Sequence, residues 1–190
     1  MRIMLVHPAG SNWVPGKKDI TATANRMAPL GLLSISAYLK RNGHQVFIHD
    51  CLGPKAPQGI AENVRAVLSP NPELVGFSTT TSSFLDGNDM AALIKKNHPQ
   101  VKTVFGGVHV SALGGALLQD FTNIDYLVPG EGEATLAELA AGLDPAAIDG
   151  LIWRDGEKIV TNATRPPLPD LDELPFPDYE SLKGFPQRTL

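Results

Sequence analysis

The sequence predicts an α/β domain built on a doubly wound parallel sheet. Three observations lead there. Strand and helix signals alternate five times before residue 145, and the strand signals are short continuous apolar runs. Each run also ends in a cluster of Gly, Pro, Ser or Thr. Apolar strands without alternation are buried on both faces, which requires helices above and below a parallel sheet.

The elements follow in order. Arg2 to His7 is an apolar run that stops at Pro8-Ala9-Gly10, a buried first strand. A long polar loop runs to about Ala28. Pro29 then opens a helix, as proline can at a first-turn position. Leu32, Ile35 and Leu39 give that helix one apolar face, and Gly43 ends it. Gln45 to Asp50 is the second strand. Ile60, Val64, Val67 and Leu68 mark a helix that stops near Pro70. Leu74 to Phe77 is the third strand and runs into Ser78-Thr79-Thr80-Thr81-Ser82-Ser83. Met90, Leu93 and Ile94 mark the next helix, stopped at Asn97-His98-Pro99. Val101 to Phe105 is the fourth strand, ending at Gly106-Gly107. Leu113 and Leu117 mark a short helix. Ile124 to Val128 is the fifth strand, ending at Pro129-Gly130-Glu131-Gly132-Glu133. Leu136, Leu139 and Ala140 mark the last helix, stopped by Gly142.

The common order for five such strands is 2-1-3-4-5, with ligands bound beyond the carboxyl ends at the switch point between strands one and three. After Gly142 the pattern changes. Asp155-Gly156-Glu157 between two apolar runs predicts a β-hairpin. The proline-rich stretch from Arg165 to Asp178 predicts an extended linker. The expected division is residues 1–145 as the α/β domain, 146–165 as a hairpin extension and 166–190 as a linker.

Composition narrows the function classes. The chain has 190 residues, 43% hydrophobic, with a formal charge of −4. Its longest basic runs are pairs such as Lys17-Lys18, so no nucleic-acid partner is expected. The single cysteine, Cys51, rules out an internal disulfide and a cysteine-based metal site. No stretch approaches the roughly 18 apolar residues of a membrane helix. A cytoplasmic protein without a membrane partner is expected.

The loops lack several familiar signatures. No G-x-G-x-x-G follows strand one, no Gly-Lys-Ser/Thr appears, and no G-x-S-x-G elbow occurs. What the strand ends carry instead is hydroxyl and glycine. Ser78, Thr79 and Thr80 head a hydroxyl cluster suited to an amide-rich heterocyclic ligand, although one such residue is all that a helix cap needs. Gly106-Gly107 lets a ligand approach the backbone, and an ordinary tight turn asks for the same pair. Glu133 at a helix start is accounted for by the helix dipole, whereas Glu131, between Gly130 and Gly132, has no such duty. His109 and His7 are metal-ligand candidates or plain hydrogen-bonding residues. Cys51 is expected to be buried and inert. Trp13 covers a flat ligand or packs its loop. No catalytic residue and no protein-held metal are assigned.

Taken together, Pro29-Leu30-Gly31-Leu32-Leu33-Ser34, Val75-Gly76-Phe77-Ser78, Val104-Phe105-Gly106-Gly107-Val108-His109 and Asp125-Tyr126-Leu127-Val128-Pro129-Gly130-Glu131-Gly132-Glu133 resemble a known family. They are similar to the N-terminal cobalamin-binding domains of class B radical S-adenosylmethionine enzymes. The hairpin and Leu171-Asp172-Glu173-Leu174-Pro175-Phe176-Pro177-Asp178 resemble that family's bridge into a catalytic barrel. The resemblance implies cobalamin across the carboxyl edge, with its nucleotide tail between sheet and helices near Ser78, Thr80, Gly106 and Gly107. The implied contact set is Leu30, Gly31, Ser78, Thr79, Thr80, Gly106, Gly107, His109, Gly130 and Glu131. It implies a full-length parent that also uses S-adenosylmethionine and a four-iron, four-sulfur cluster in a barrel missing from this chain, and that transfers methyl groups or performs related radical chemistry.

Two departures qualify the resemblance. No aspartate is followed two residues later by a histidine, so base-off cobalamin without a protein histidine ligand is expected. The three-cysteine cluster motif is absent, so the chain alone is not expected to cleave S-adenosylmethionine. A flavodoxin-like carrier is the alternative on fold grounds, but its phosphate loop should follow strand one, and here the hydroxyls follow strand three. A non-catalytic sensor using the same fold stays open.

Overall fold

The computed structural model describes residues 1–10, 28–53, 55–168 and 170–182. The expectations for Trp13 and Lys17-Lys18 lie outside them. The strands are β1 (Arg2–His7), β2 (Gln45–Asp50), β3 (Leu74–Ser78), β4 (Lys102–Gly106), β5 (Tyr126–Val128), β6 (Ile152–Asp155) and β7 (Lys158–Thr161). The helices are α1 (Leu30–Arg41), α2 (Ile60–Leu68), α3 (Phe84–Asn97), α4 (Val108–Leu113), α5 (Ala116–Asp120) and α6 (Glu133–Ala140). They form one sheet of order β2-β1-β3-β4-β5-β6-β7. The first five strands are parallel and stand in the expected order. The sheet has seven strands rather than five because the hairpin does not stand apart. β6 pairs antiparallel with β5, and β7 with β6. Strand β5 has only three residues, and it leaves an edge that the hairpin covers.

Successive residues of a strand point to opposite faces, and the two cores follow that alternation. Met4, Val6, Val75 and Phe77 pack against α2, α3 and the short helices α4 and α5. Ile3, Leu5, Leu74 and Val104 pack against α1 and α6. Where one helix was expected at Leu113 and Leu117 there are two, broken at Gly114, whose φ is +54°. Helices α1 and α6 end at the glycines that predicted their ends. At α1, His44 N donates to Leu39 O and Gly43 N to Lys40 O, with Gly43 at φ +83°, a closure that only glycine adopts without strain.

The proline-rich segment does more than extend. It turns back along α1. The Asp178 carboxylate accepts from Ser36 Oγ at 2.6 Å and lies 2.7 Å from Lys40 Nζ, while Asp178 N donates to Leu33 O at 3.1 Å. Ser36 is fully buried and Leu182 nearly so. Phe176, by contrast, is 97% exposed between its prolines.

Burial raises the Asp178 pKa, but the bonds from Lys40, Ser181 and Ser36 outweigh it and hold the carboxyl below its ordinary value. A depressed carboxylate stabilises the fold above its unfolded pKa and ceases to do so as pH falls through the folded one. Asp178→Ala should therefore cost about 1 kcal/mol near neutral pH. The gap from the parent chain should be full above about pH 4 and close below it, as thermal melts across pH 2.5–7 would show. A pH-independent gap would remove the carboxylate from this role.

Candidate functional site at the carboxyl edge

The site begins with what the sheet floor lacks. Leu5, Gly76 and Val104 are aligned across β1, β3 and β4, and one row onward Ser78, Gly106 and Val128 are aligned across β3, β4 and β5. Both rows face α1 and α6. At the centre of each row stands a glycine. A Cβ on Gly76 would lie 3.1 Å from Leu5 Cδ2, and one on Gly106 would lie 3.2 Å from Val128 O. Glycine inside a central strand weakens it and marks a place where something else approaches. Here it leaves a slot of about 60 Å³ between the sheet and the two helices. Leu32 and Ile35 of α1 and Leu136 of α6 form its roof. At the α6 end, a Cβ on Gly132 would meet Ile35 Cδ1 at 3.3 Å.

The slot opens at the carboxyl edge into a mouth of about 190 Å³, with Leu32, Ser78 and Gly107 on both. His7, Leu30, Gly31, Thr80 and Val108 complete most of the mouth. Leu30 and Val108 are exposed apolar residues there, at 54% and 69%. A larger cavity of about 440 Å³ lies beyond Gly130, against the hairpin and the linker, and takes in Glu131 and Arg165.

Two loops hold this geometry by crossing in contact. Gly107, at φ +94°, sits so close to Thr79 that a Cβ there would be 2.5 Å from Thr79 O and 2.8 Å from Thr79 N. Thr79 N and Thr79 Oγ1 both donate to Gly106 O, at 2.9 and 3.1 Å. Thr79 is 1% exposed, so its hydroxyl serves the loop crossing. Ser83 Oγ accepts from Thr80 N at 3.0 Å and makes no side-chain cap bond to α3, so the cluster is not explained by capping. Thr80 remains exposed, sharing its hydroxyl with Ser82 and Ser83.

The sequence-derived residues divide accordingly. Leu30, Gly31, Ser78, Thr79, Thr80, Gly106, Gly107 and Gly130 meet in the slot and its mouth. His109 and Glu131 line neither. His109 Nδ1 is 3.2 Å from Thr81 Oγ1, and its ring lies 4.5 Å from that of Phe84. Glu131 accepts from Leu168 N at 3.3 Å. Glu133 does more than meet the dipole. Its carboxylate accepts from Ser34 Oγ at 2.8 Å and so joins α6 to α1. His7 Nδ1 is 3.0 Å from Asp50 Oδ1, a pair joined across β1 and β2. Burial, with Asp50 and Asp86 nearby, pushes the Cys51 thiol up to about 12, so no thiolate forms at neutral pH. Among the described residues no group of three His, Cys, Asp or Glu could hold a metal ion. No helix among them is long and apolar enough to cross a membrane.

The roof residues, Gly76 and Gly132 escaped the sequence reading as site residues. Leu32 and Leu136 looked like ordinary core, which they also are. Gly76 alone carried a signal, a glycine inside an apolar strand.

Comparison with known proteins agrees with this geometry. Residues 16–140 match the family described as B12 binding domain. An uncharacterized methyltransferase, PH0819, of Pyrococcus horikoshii is 30% identical over 96% of this chain. An anaerobic magnesium-protoporphyrin IX monomethyl ester cyclase of Synechocystis sp. is 33% identical over 90% of it. The chain spans only 39% and 34% of their lengths. Among solved structures, the radical S-adenosylmethionine methyltransferase TsrM of Kitasatospora setae, with cobalamin and a [4Fe-4S] cluster bound, superposes with a TM-score of 0.66. That match has 22% identity and covers 92% of this chain and 30% of that one, a likeness of fold.

Gly107→Ala should destabilise the fold by about 2 kcal/mol or more, since both its φ and its contact with Thr79 forbid a Cβ. Gly31→Ala meets nothing within 4 Å and lies in the first turn of α1, so stability should stay level or rise by about 0.5 kcal/mol. Urea titration of both variants checks the contrast. A tolerant Gly107 would mean the loops do not cross as described.

Proposed function

This chain belongs to the B12-binding domain family, and from that membership we propose that it seats cobalamin across the carboxyl edge, nucleotide tail in the slot and corrin ring over the mouth. The observation that carries the reading is the pair of floor rows in which Gly76 and Gly106 leave room under α1 and α6. The slot is apolar and narrow, as a flat aromatic base requires. The mouth combines the hydroxyls of Ser78 and Thr80 with the apolar surfaces of Leu30 and Val108, which suits a macrocycle fringed with amides.

In this reading Leu30, Gly31, Ser78, Thr80 and Gly107 hold the ring and its side chains, and Gly106 and Gly130 line the tail's path. Thr79 acts by fixing Gly106. His109 and Glu131 lie farther out, at the outer rim. Cobalamin held here would supply a cobalt centre for methyl transfer or related radical chemistry. The residues of this chain supply only its seat.

The whole protein is proposed to be a cobalamin-dependent radical S-adenosylmethionine enzyme of the cytoplasm. The rest of its length would hold the barrel, the [4Fe-4S] cluster and S-adenosylmethionine. The length of the relatives supports this, as does the linker, which lies along α1 with Phe176 outward. The reaction proposed for the whole protein is methyl transfer or related radical chemistry.

Hydroxocobalamin titrated into the chain should shift its visible spectrum and be retained in equilibrium dialysis. Ile35→Trp, which fills the slot from the roof, should weaken retention at least about tenfold, the loss of roughly 1.4 kcal/mol. Equal retention by the two would overturn the slot as the binding place. The cobalt is proposed to be base-off and without a protein histidine. His7→Ala should then leave the spectrum of bound cobalamin unchanged, and a shifted spectrum would identify His7 as a ligand.

A further inference from the structure

The lining of the slot says which cobamides it accepts. Among the described residues around it, Ser78 is the single side chain with a polar atom, and it stands in the outer row, shared with the mouth. The roof and inner floor are Leu5, Leu32, Ile35, Val104 and Leu136 beside bare glycine. Several of the backbone groups at the glycines are already taken. Gly106 O accepts twice from Thr79, and Gly107 O accepts from Ser111 N and Ser111 Oγ. Gly130 N donates to Ser111 Oγ at 2.9 Å, and Gly132 O accepts from Leu136 N at 2.9 Å. A base entering here finds shape and apolar contact and, among the described residues, no side-chain hydrogen-bonding partner in the inner slot.

We propose that the slot selects the lower base of its corrinoid by polarity, accepting benzimidazole or phenolic bases and rejecting purines. The inference rests on the reading that the nucleotide tail enters this slot. A phenolic lower base brings no unpaired ring nitrogen. A benzimidazole freed from cobalt brings one. An adenine attached through its imidazole brings three ring nitrogens and an exocyclic amine. Each such group gives up water on entry and meets no polar side chain in the inner slot, which costs more than a matched bond would gain. A site with no partner for a polar group discriminates weakly when one group is added to an apolar ligand. Several groups at once, in a slot whose inner lining is apolar, raise that to about tenfold or more.

The test compares four ligands on the chain by equilibrium dialysis: cobalamin, its p-cresolyl and adeninyl analogues, and cobinamide, which has no nucleotide tail. The expected order is cobalamin and the cresolyl form together, the adeninyl form at least about tenfold weaker, and cobinamide weak as well. Ile35→Gln, which places an amide on the half-buried roof position, should narrow the gap between cobalamin and the adeninyl form. Adeninyl binding within threefold of cobalamin, with both well above cobinamide, overturns the selection and leaves the seat in place. Cobalamin binding no better than cobinamide overturns the seat itself.

Discussion

The carboxyl edge depends on one backbone contact, the crossing of the β3–α3 and β4–α4 loops at Thr79 and Gly107. Thr79 donates from both its amide and its hydroxyl to Gly106 O, and Gly107 passes so near that no Cβ fits between them. These bonds satisfy buried polar groups that would otherwise cost about 1–3 kcal/mol each. They also fix where Ser78 and Gly106 stand relative to each other. The crossing adds to the strand ladders that align the floor row Ser78–Gly106–Val128 and holds the loops on either side of the mouth. In the next row inward Gly76 carries no side chain where Leu5 Cδ2 and Val104 Cγ1 approach, and lines the slot with them.

The fold was legible because its signals are redundant. The apolar run of β1, the Gly43 and Gly142 helix ends and the Asp155-Gly156 hairpin each carry a local physical reason to be where they are. The parallel order follows from buried strands and short connections. What could not be read was where the later segments go. Strand β5 shows nothing in its sequence to say that a hairpin pairs with it. The proline-rich stretch has a composition that fits any extended chain, and its docking rests on single bonds such as Asp178 to Ser36, residues far apart in sequence.

The site was only partly legible, for a related reason. Loop residues announce themselves by composition, and the hydroxyls and glycines did so at Ser78, Thr80, Gly106, Gly107 and Gly130. Roof residues do not. Leu32, Ile35 and Leu136 satisfy the helical period of a core face whether the space beneath them is filled or open. The distinction is made by Gly76 on another element. The hydroxyl cluster shows the opposite limit, since its members look alike in sequence but Thr79 is spent on the loop crossing while Thr80 faces out. Hydroxyl chemistry gave the neighbourhood, and burial gave the assignment.

Helix α1 is where these elements meet. It supplies Leu32 and Ile35 to the roof and Leu30 and Gly31 to the mouth. Between them it offers Ser34 to Glu133 and Ser36 to Asp178. The roof is shared by α1 and α6, and the Ser34–Glu133 bond joins those two helices beside the slot. The Ser36–Asp178 bond, with Lys40 on the same carboxylate, joins α1 to the proline-rich segment. The helix that carries Leu32 and Ile35 over the glycine floor is therefore positioned by polar bonds made by residues outside the lining, and a buried serine such as Ser36 satisfies its hydroxyl only because that segment packs there.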